Sequence, residues 1–161
     1  MSNLDALGIG HDMLEGLARA ARLLGTGRAA ETLDAIEALG AGAQDLETVQ
    51  LVRARADEDL DRFDRSWATL EKLLRREPDN AVFNLRAAVL LYRAGDLVRC
   101  EELLRRSWRT APSPEGAYYL GRVLEARSHD DEARMFFVAA VAMEGRDGAW
   151  RAAAAARLGG D

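Results

Sequence analysis

Few residues in this chain of 161 are of a type and spacing that could do chemistry. Gly25-Thr26-Gly27-Arg28-Ala29-Ala30 spells G-x-G-x-x-A, whose glycines elsewhere let a backbone approach a dinucleotide pyrophosphate. That mechanism needs a strand before the glycines, and the residues before Gly25 have helical periodicity, so phosphate binding is not expected. His129-Asp130-Asp131-Glu132 offers nitrogen and oxygen metal ligands but reads as a helix cap and a solvated first turn. Asp57-Glu58-Asp59 with Asp61 reads as a solvent-facing acidic run. Cys100, the one cysteine, shares a helical face with Leu104 and Ser107 and is expected to be a buried, inert thiol rather than a nucleophile. His11 stands outside any constellation. With no Ser/His/Asp set, paired-carboxylate motif or C-x-x-C, no enzyme is expected, and no catalytic residue, cofactor or metal is assigned.

The elements that would position these residues are helical. The stretch Asn80 to Pro112 reads as one hairpin. An apolar-periodic segment runs from Ala81 to Ala94, Gly95-Asp96 breaks it, and Asp96 N-caps a second segment from Leu97 to Arg109. Thr110-Ala111-Pro112 then stops the helix, because the residue before proline is biased away from α. The unit recurs. Thr32, Ser66, Cys100 and Ala133 lie 34, 34 and 33 residues apart, and each is followed four residues later by Ile36, Leu70, Leu104 or Phe137. Leu39, Leu73, Ser107 and Ala140 come three residues beyond those, and Pro78 and Pro112 close the middle units.

A two-helix period near 34 residues, with Ala117-x2-Leu120-Gly121-x2-Leu124 followed by Ala133-x3-Phe137, resembles the tetratricopeptide repeat over residues 13–145. The resemblance implies an all-α fold: a right-handed superhelix of about four antiparallel helix pairs plus a C-terminal capping helix. The expected layout is a loose segment over 1–11 and a single domain over 12–158. Its repeats span 13–44, 45–78, 79–112 and 113–145, and its capping helix 148–158 carries Trp150. Asp12 with Glu15, Asp45, Asp64, Asn80 (or Asp79), Ser113 before Pro114, Asp130 and Asp147 are the expected helix starts. Ala21, Ala88 and Gly121 are the expected small residues where paired helices approach, and Trp67 and Trp108 are expected in the packing. The second unit fits least well. Its first helix is read with Val49, Val52 and Ala56 inward and one extra residue in the loop Leu60-Asp61-Arg62, because strict register would turn Asp57 into the core.

Charged residues make up 30% of the chain and the formal charge is −5, which argues against a nucleic-acid binder with a basic face. Lys72 is the only lysine among 22 cations, a sign of coding bias rather than of a basic function. The lone cysteine fits a reducing compartment, no run approaches the ~18 apolar residues of a membrane span, and the N-terminus lacks the features of a signal peptide. A cytoplasmic bacterial protein is expected, without membrane insertion; a homo-oligomer is compatible with this.

By resemblance, the first helices line a concave groove that holds a peptide or helix of a partner protein. The residues so placed are Arg22, Gln50, Leu51, Ala54, Val82, Leu85, Arg86, Val89, Tyr92, Tyr118, Tyr119, Arg122 and Glu125. Leu85, Val89, Tyr92 and Tyr118 are expected to be partly exposed anchors, since large apolar and tyrosine side chains suit interfaces. The Lys/Asn pattern with which some relatives clamp a terminal carboxylate is missing. The expected function is therefore a protein-binding adaptor or assembly factor. The alternative, on architectural similarity to small bacterial secretion chaperones of this repeat type, is a chaperone that keeps a hydrophobic client soluble; an enzyme is a distant third.

Overall fold

The computed structural model describes residues 10–145 and 148–159, and every regular element among them is helical. The helices are α1 (His11–Gly25), α2 (Ala29–Glu37), α3 (Glu47–Asp59), α4 (Phe63–Arg76), α5 (Ala81–Ala94), α6 (Leu97–Thr110), α7 (Pro114–Ala126), α8 (Asp130–Met143) and α9 (Ala149–Leu158), with a 3₁₀ turn at Ala41–Ala43. The chain divides into two compact units between Leu73 and Leu74. Met1 to Ile9, Arg146, Asp147, Gly160 and Asp161 lie outside the described residues, and with them most of the expected N-terminal segment and the Asp147 helix start.

Three of the expected caps form. Asn80 accepts hydrogen bonds from the backbone N–H of Val82 and Phe83, Asp96 from Arg99, and Ser113 from Gly116 with Pro114 at the first helical position. Others differ. Helix α1 starts two residues early, with Gly10 rather than Asp12 as its N-cap, and Glu15 pairs with His11 at 3.1 Å instead of closing a capping box. Leu46 and His129, not Asp45 and Asp130, occupy the N-cap positions of α3 and α8, where no side chain caps.

The repeat is written into the backbone itself. Gly27, Asp61, Gly95 and Ser128 all have left-handed φ, of 75°, 57°, 81° and 61°, at steps of 34, 34 and 33 residues. Each ends the first helix of its pair. The next residue's N–H then reaches back five residues, from Arg28 to Leu23 O, Arg62 to Asp57 O, Asp96 to Leu91 O and His129 to Leu124 O, at 2.8–3.0 Å. This is the Schellman closure of a helix C-terminus. Two of the four positions, Asp61 and Ser128, are not glycine and adopt φ that side chains usually avoid.

These turns correct the reading of the second unit. No residue is inserted in its loop: α3 keeps strict register, and Asp57 stands where the other pairs carry Leu23, Leu91 and Leu124. Asp57 is accordingly buried, with Arg62 Nη1 3.7 Å from its Oδ1 and no hydrogen bond to that oxygen. Glu58 beside it is buried too, so the acidic run is not wholly solvent-facing. Val49 and Ala56 are buried as expected and Val52 partly so. The same register moves the small first-helix residue by one position: Ala20 is buried and Ala21 exposed, and Ala54 fills that place in α3.

Core packing follows the repeat. In the first unit Ala20, Ile36, Ala43 and Val49 form one cluster, with Met13, Leu17 and Leu39 against it. In the second, Ala117, Leu124, Ala133, Phe137, Ala140 and Ala154 form another. Close approach is enforced where the small residues meet. A Cβ on Gly121 would lie 2.5 Å from the Phe137 ring, and the Cys100 thiol donates to the Ala88 carbonyl at 3.1 Å. Ser107 Oγ donates to Ala81 O at 2.9 Å, a second tie between α6 and α5. On the other side of α6, Glu101 binds Arg105 at 2.7 Å and Arg127, and Arg105 reaches Glu132 at 2.8 Å. Burial pushes the Glu101 carboxyl up, but the two arginines outweigh that and hold it below the usual range. Burial, together with the charges of Asp96 and Glu101, pushes the Cys100 thiol up to about 12.

Two outcomes follow for stability. Gly121→Leu will lower the melting temperature more than any exposed change, by at least the ~1–3 kcal/mol of ordinary overpacking. Asp57→Leu will raise it, since it removes a buried carboxylate from a position that is leucine in the other pairs and leaves behind an Arg62 that is 45% exposed and stays solvated. Thermal melts of both variants check this, and a Gly121→Leu protein melting within a degree of wild type would contradict the packing of α7 on α8. Cys100 will resist an aromatic disulfide reagent at neutral pH in the native protein and react at once in denaturant; rapid native labelling would mean that the α5–α6 seam opens readily.

Candidate functional site

The residues assigned to the groove fall into both units. In the first, Arg22 is exposed, Leu51 is half-buried, and Gln50 donates to the Gln44 carbonyl at 3.4 Å, bracing the α2–α3 connection. Ala54 is 2% exposed and belongs to the α3 packing face, so it has no surface to offer a partner.

The second unit brings the others together along α5 and α7. Two of its expected anchors are corrected: Leu85 and Val89 are 8% and 4% exposed. Eight residues between Phe83 and Leu91 are buried, because α5 packs against α6 on one side and meets α7 on another; Leu85 lies against Gly116. Val82 is left exposed and Arg86, Tyr92, Tyr118, Tyr119, Arg122 and Glu125 half-buried.

The tyrosines form a continuous aromatic cluster. Tyr92 meets Tyr119 edge-on with ring centroids 5.5 Å apart and planes at 69°, and Tyr118 meets Tyr119 at 5.6 Å and 75°. Trp150 of α9 leans on both, 5.4 Å from Tyr118 and 5.6 Å from Tyr119. Tyr118 also touches Phe137 at 6.1 Å. Each such pair is worth ~0.5–1.5 kcal/mol beyond the area it buries. Tyr118 is therefore a structural hub, and Tyr92 lies at the margin of the cluster.

Arg122 crosses the cluster. Its guanidinium carbon lies 5.7 Å from the Tyr92 ring centre and 5.9 Å from that of Tyr118, and its Nη1 donates to the Tyr118 hydroxyl at 2.9 Å. Burial lowers its pKa, but the Tyr118 hydrogen bond and the neighbouring Tyr92, Tyr118 and Glu125 side chains outweigh this and keep it cationic. Glu125 Oε2 is 3.7 Å from Arg122 Nε and 3.5 Å from Arg157 Nη2. Arg86 pairs with Glu115. Trp150, Glu115 and Arg157 thus belong to the face, Trp150 from a helix expected only to cap the last pair. Trp150 was the available signal, a single large ring in an alanine-rich helix.

The motifs singled out for chemistry sit elsewhere. Gly25 and Gly27 form the α1–α2 turn, with a helix on each side and no preceding strand. Glu132 of the His129–Glu132 run is paired with Arg105, and among the described residues no group of three His, Cys, Asp or Glu side chains converges. One further surface was not foreseen: Met135 and Val138 of α8 are 70% and 51% exposed, at register positions where α6 carries Glu102 and Arg105. No helix among the described residues is long and apolar enough to cross a membrane.

No protein-family model matches the sequence, nor does any curated protein. Solved structures do match. A tetratricopeptide repeat protein from Parabacteroides merdae superposes over 91% of this chain with a TM-score of 0.80 at 12% identity, and the chain spans only 57% of its length. MamA from Desulfovibrio magneticus RS-1 matches over 93% of this chain and 87% of its own, with a TM-score of 0.68 at 15% identity. A thermophilic tetratricopeptide protein of Thermus thermophilus matches over 91% and 98%, with a TM-score of 0.60 at 15% identity. Likeness at this level of identity speaks to architecture alone, and it agrees with the helix pairs, the 34-residue step of the turns and the small-residue seam: the chain has the tetratricopeptide-like all-α fold.

Proposed function

We propose that this chain is a non-enzymatic protein-interaction module that holds a segment of a partner protein against the α5–α7 face of its second unit, as an adaptor or assembly factor. The observation that supports this reading is the half-buried cluster of Tyr92, Tyr119 and Arg122, continued by Val82 and Arg86. Tyrosine and arginine are the side chains that most often dominate binding energy, and here mutual packing holds them in place before any partner arrives. Similarity to tetratricopeptide proteins adds the expectation that the first-helix side is the working side. No residue set on this face is arranged for acid–base or nucleophilic catalysis.

Two single substitutions separate binding from folding. Tyr118→Ala removes contacts to Tyr119, Phe137, Trp150 and Arg122 and will cost stability, roughly 2–4 kcal/mol. Tyr92→Ala loses one edge contact and one cation–π contact and will melt within about 1 kcal/mol of wild type. A protein captured by the wild type, then purified and titrated, will bind the folded Tyr92→Ala variant about 1–4 kcal/mol more weakly. An unchanged affinity would move the binding surface away from this face.

A further inference from the structure

We propose that the segment held on the α5–α7 face carries an acidic side chain flanked by bulky apolar ones, and that Arg122 receives its carboxylate. The inference rests on the reading that this face is a docking surface, and it specifies what docks.

Charge on the face is unevenly matched. Arg86 is neutralised by Glu115, whereas Arg122 and Arg157 share the single carboxylate of Glu125, at 3.7 and 3.5 Å. Two cations facing one anion leave one positive charge uncompensated. Within Arg122, Nη1 is engaged by Tyr118 and the unpaired Nε is buried out of a partner's reach, so on this 29% exposed side chain Nη2 is the nitrogen left to meet a carboxylate. The guanidinium is held by two tyrosine rings and one hydroxyl, so a partner carboxylate meets a fork whose orientation is already set. Tyr92 and Tyr119 beside it offer aromatic surface to the side chains that flank the acid.

The wider field agrees. The chain carries −5 overall, but residues 1–73 hold eight Lys and Arg against fourteen Asp and Glu, and residues 74–161 hold fourteen Arg against thirteen. The acidic excess belongs to the first unit, so the second does not repel an anionic segment. A basic segment would bring like charge onto Arg122 and Arg157. A carboxylate at a chain terminus shares the chemistry; the proposal commits to a side chain, since the Tyr92 and Tyr119 rings beside Arg122 suit a segment that continues past the acid.

The test is selection of random dodecamers, displayed with their C-termini blocked, on the full-length protein. Enriched peptides, synthesised with amidated C-termini, are then measured by fluorescence anisotropy. The expected result is enrichment of Asp or Glu beside Leu, Phe or Tyr. Glu→Gln in the peptide and Arg122→Gln in the protein will each lower affinity about tenfold or more, and the double change will lower it little further. Arg109→Gln, an exposed cation at the end of α6, will leave binding unchanged. The peptide-side substitution needs no altered protein, so the outcome does not hang on whether Arg122→Gln folds. Enriched peptides without acid, or affinity indifferent to Glu→Gln, would overturn the inference and leave the docking surface standing. Binding that returns only with a free C-terminal carboxylate would overturn it too. Failure to enrich any peptide would remove both this inference and the function it rests on.

Discussion

The missing side chain of Gly121 is the constraint on which the second unit depends. With no Cβ in the way, the Phe137 ring of α8 lies directly on the α7 backbone. Phe137 supports Tyr118, and Tyr118 in turn carries Tyr119, Trp150 and the Arg122 hydrogen bond. A packing requirement at one core position thus reaches the surface through one ring at a time. The equivalent place in α5 is Ala88, whose carbonyl accepts the Cys100 thiol, and Leu104 of α6 holds the register position of the Phe137 ring. Interiors packed to crystal density transmit such choices, because no slack is left to absorb them.

Polar groups are used sparingly in this fold, and where they are buried they define register. Ser107 reaches the start of α5, and Glu101 draws α6, the end of α7 and α8 together through Arg105 and Arg127. Asp57 departs from this, as does the buried Ser66 hydroxyl, which has no partner. Asp57 occupies a leucine position with only a 3.7 Å ion pair for company. A shift of α3 by one residue would free the carboxylate but lift Ala54 out of the seam and spoil the closing turn at Asp61. Helix pairing wins over the comfort of one charge, since a misregistered helix forfeits many contacts and a tolerated carboxylate costs only part of its solvation.

The face on α5 and α7 combines two demands that usually conflict. Its rings must be anchored to be preorganised, yet exposed to bind. The cluster resolves this by grading: Tyr118 sits deep among four partners, Tyr119 between, and Tyr92 at the margin with Arg122 above it. Helix α9 contributes by bringing Trp150 onto the inner rings.

Much of the fold was legible in the sequence alone. The positions Thr32, Ser66, Cys100 and Ala133, each four residues before a large apolar residue, announce a two-helix repeat, because helical periodicity and stop signals are local properties. Cap residues such as Asn80, Asp96 and Ser113 are readable for the same reason. What only the tertiary structure decided depends on neighbours distant in sequence. The register of α3, the exposure of Ala21 in place of Ala20, the burial of Leu85 and Val89, and the arrival of Trp150 on Tyr118 and Tyr119 are all of this kind. A period of 3.6 leaves the azimuth of a helix open by a residue in either direction, and three-dimensional packing closes that choice.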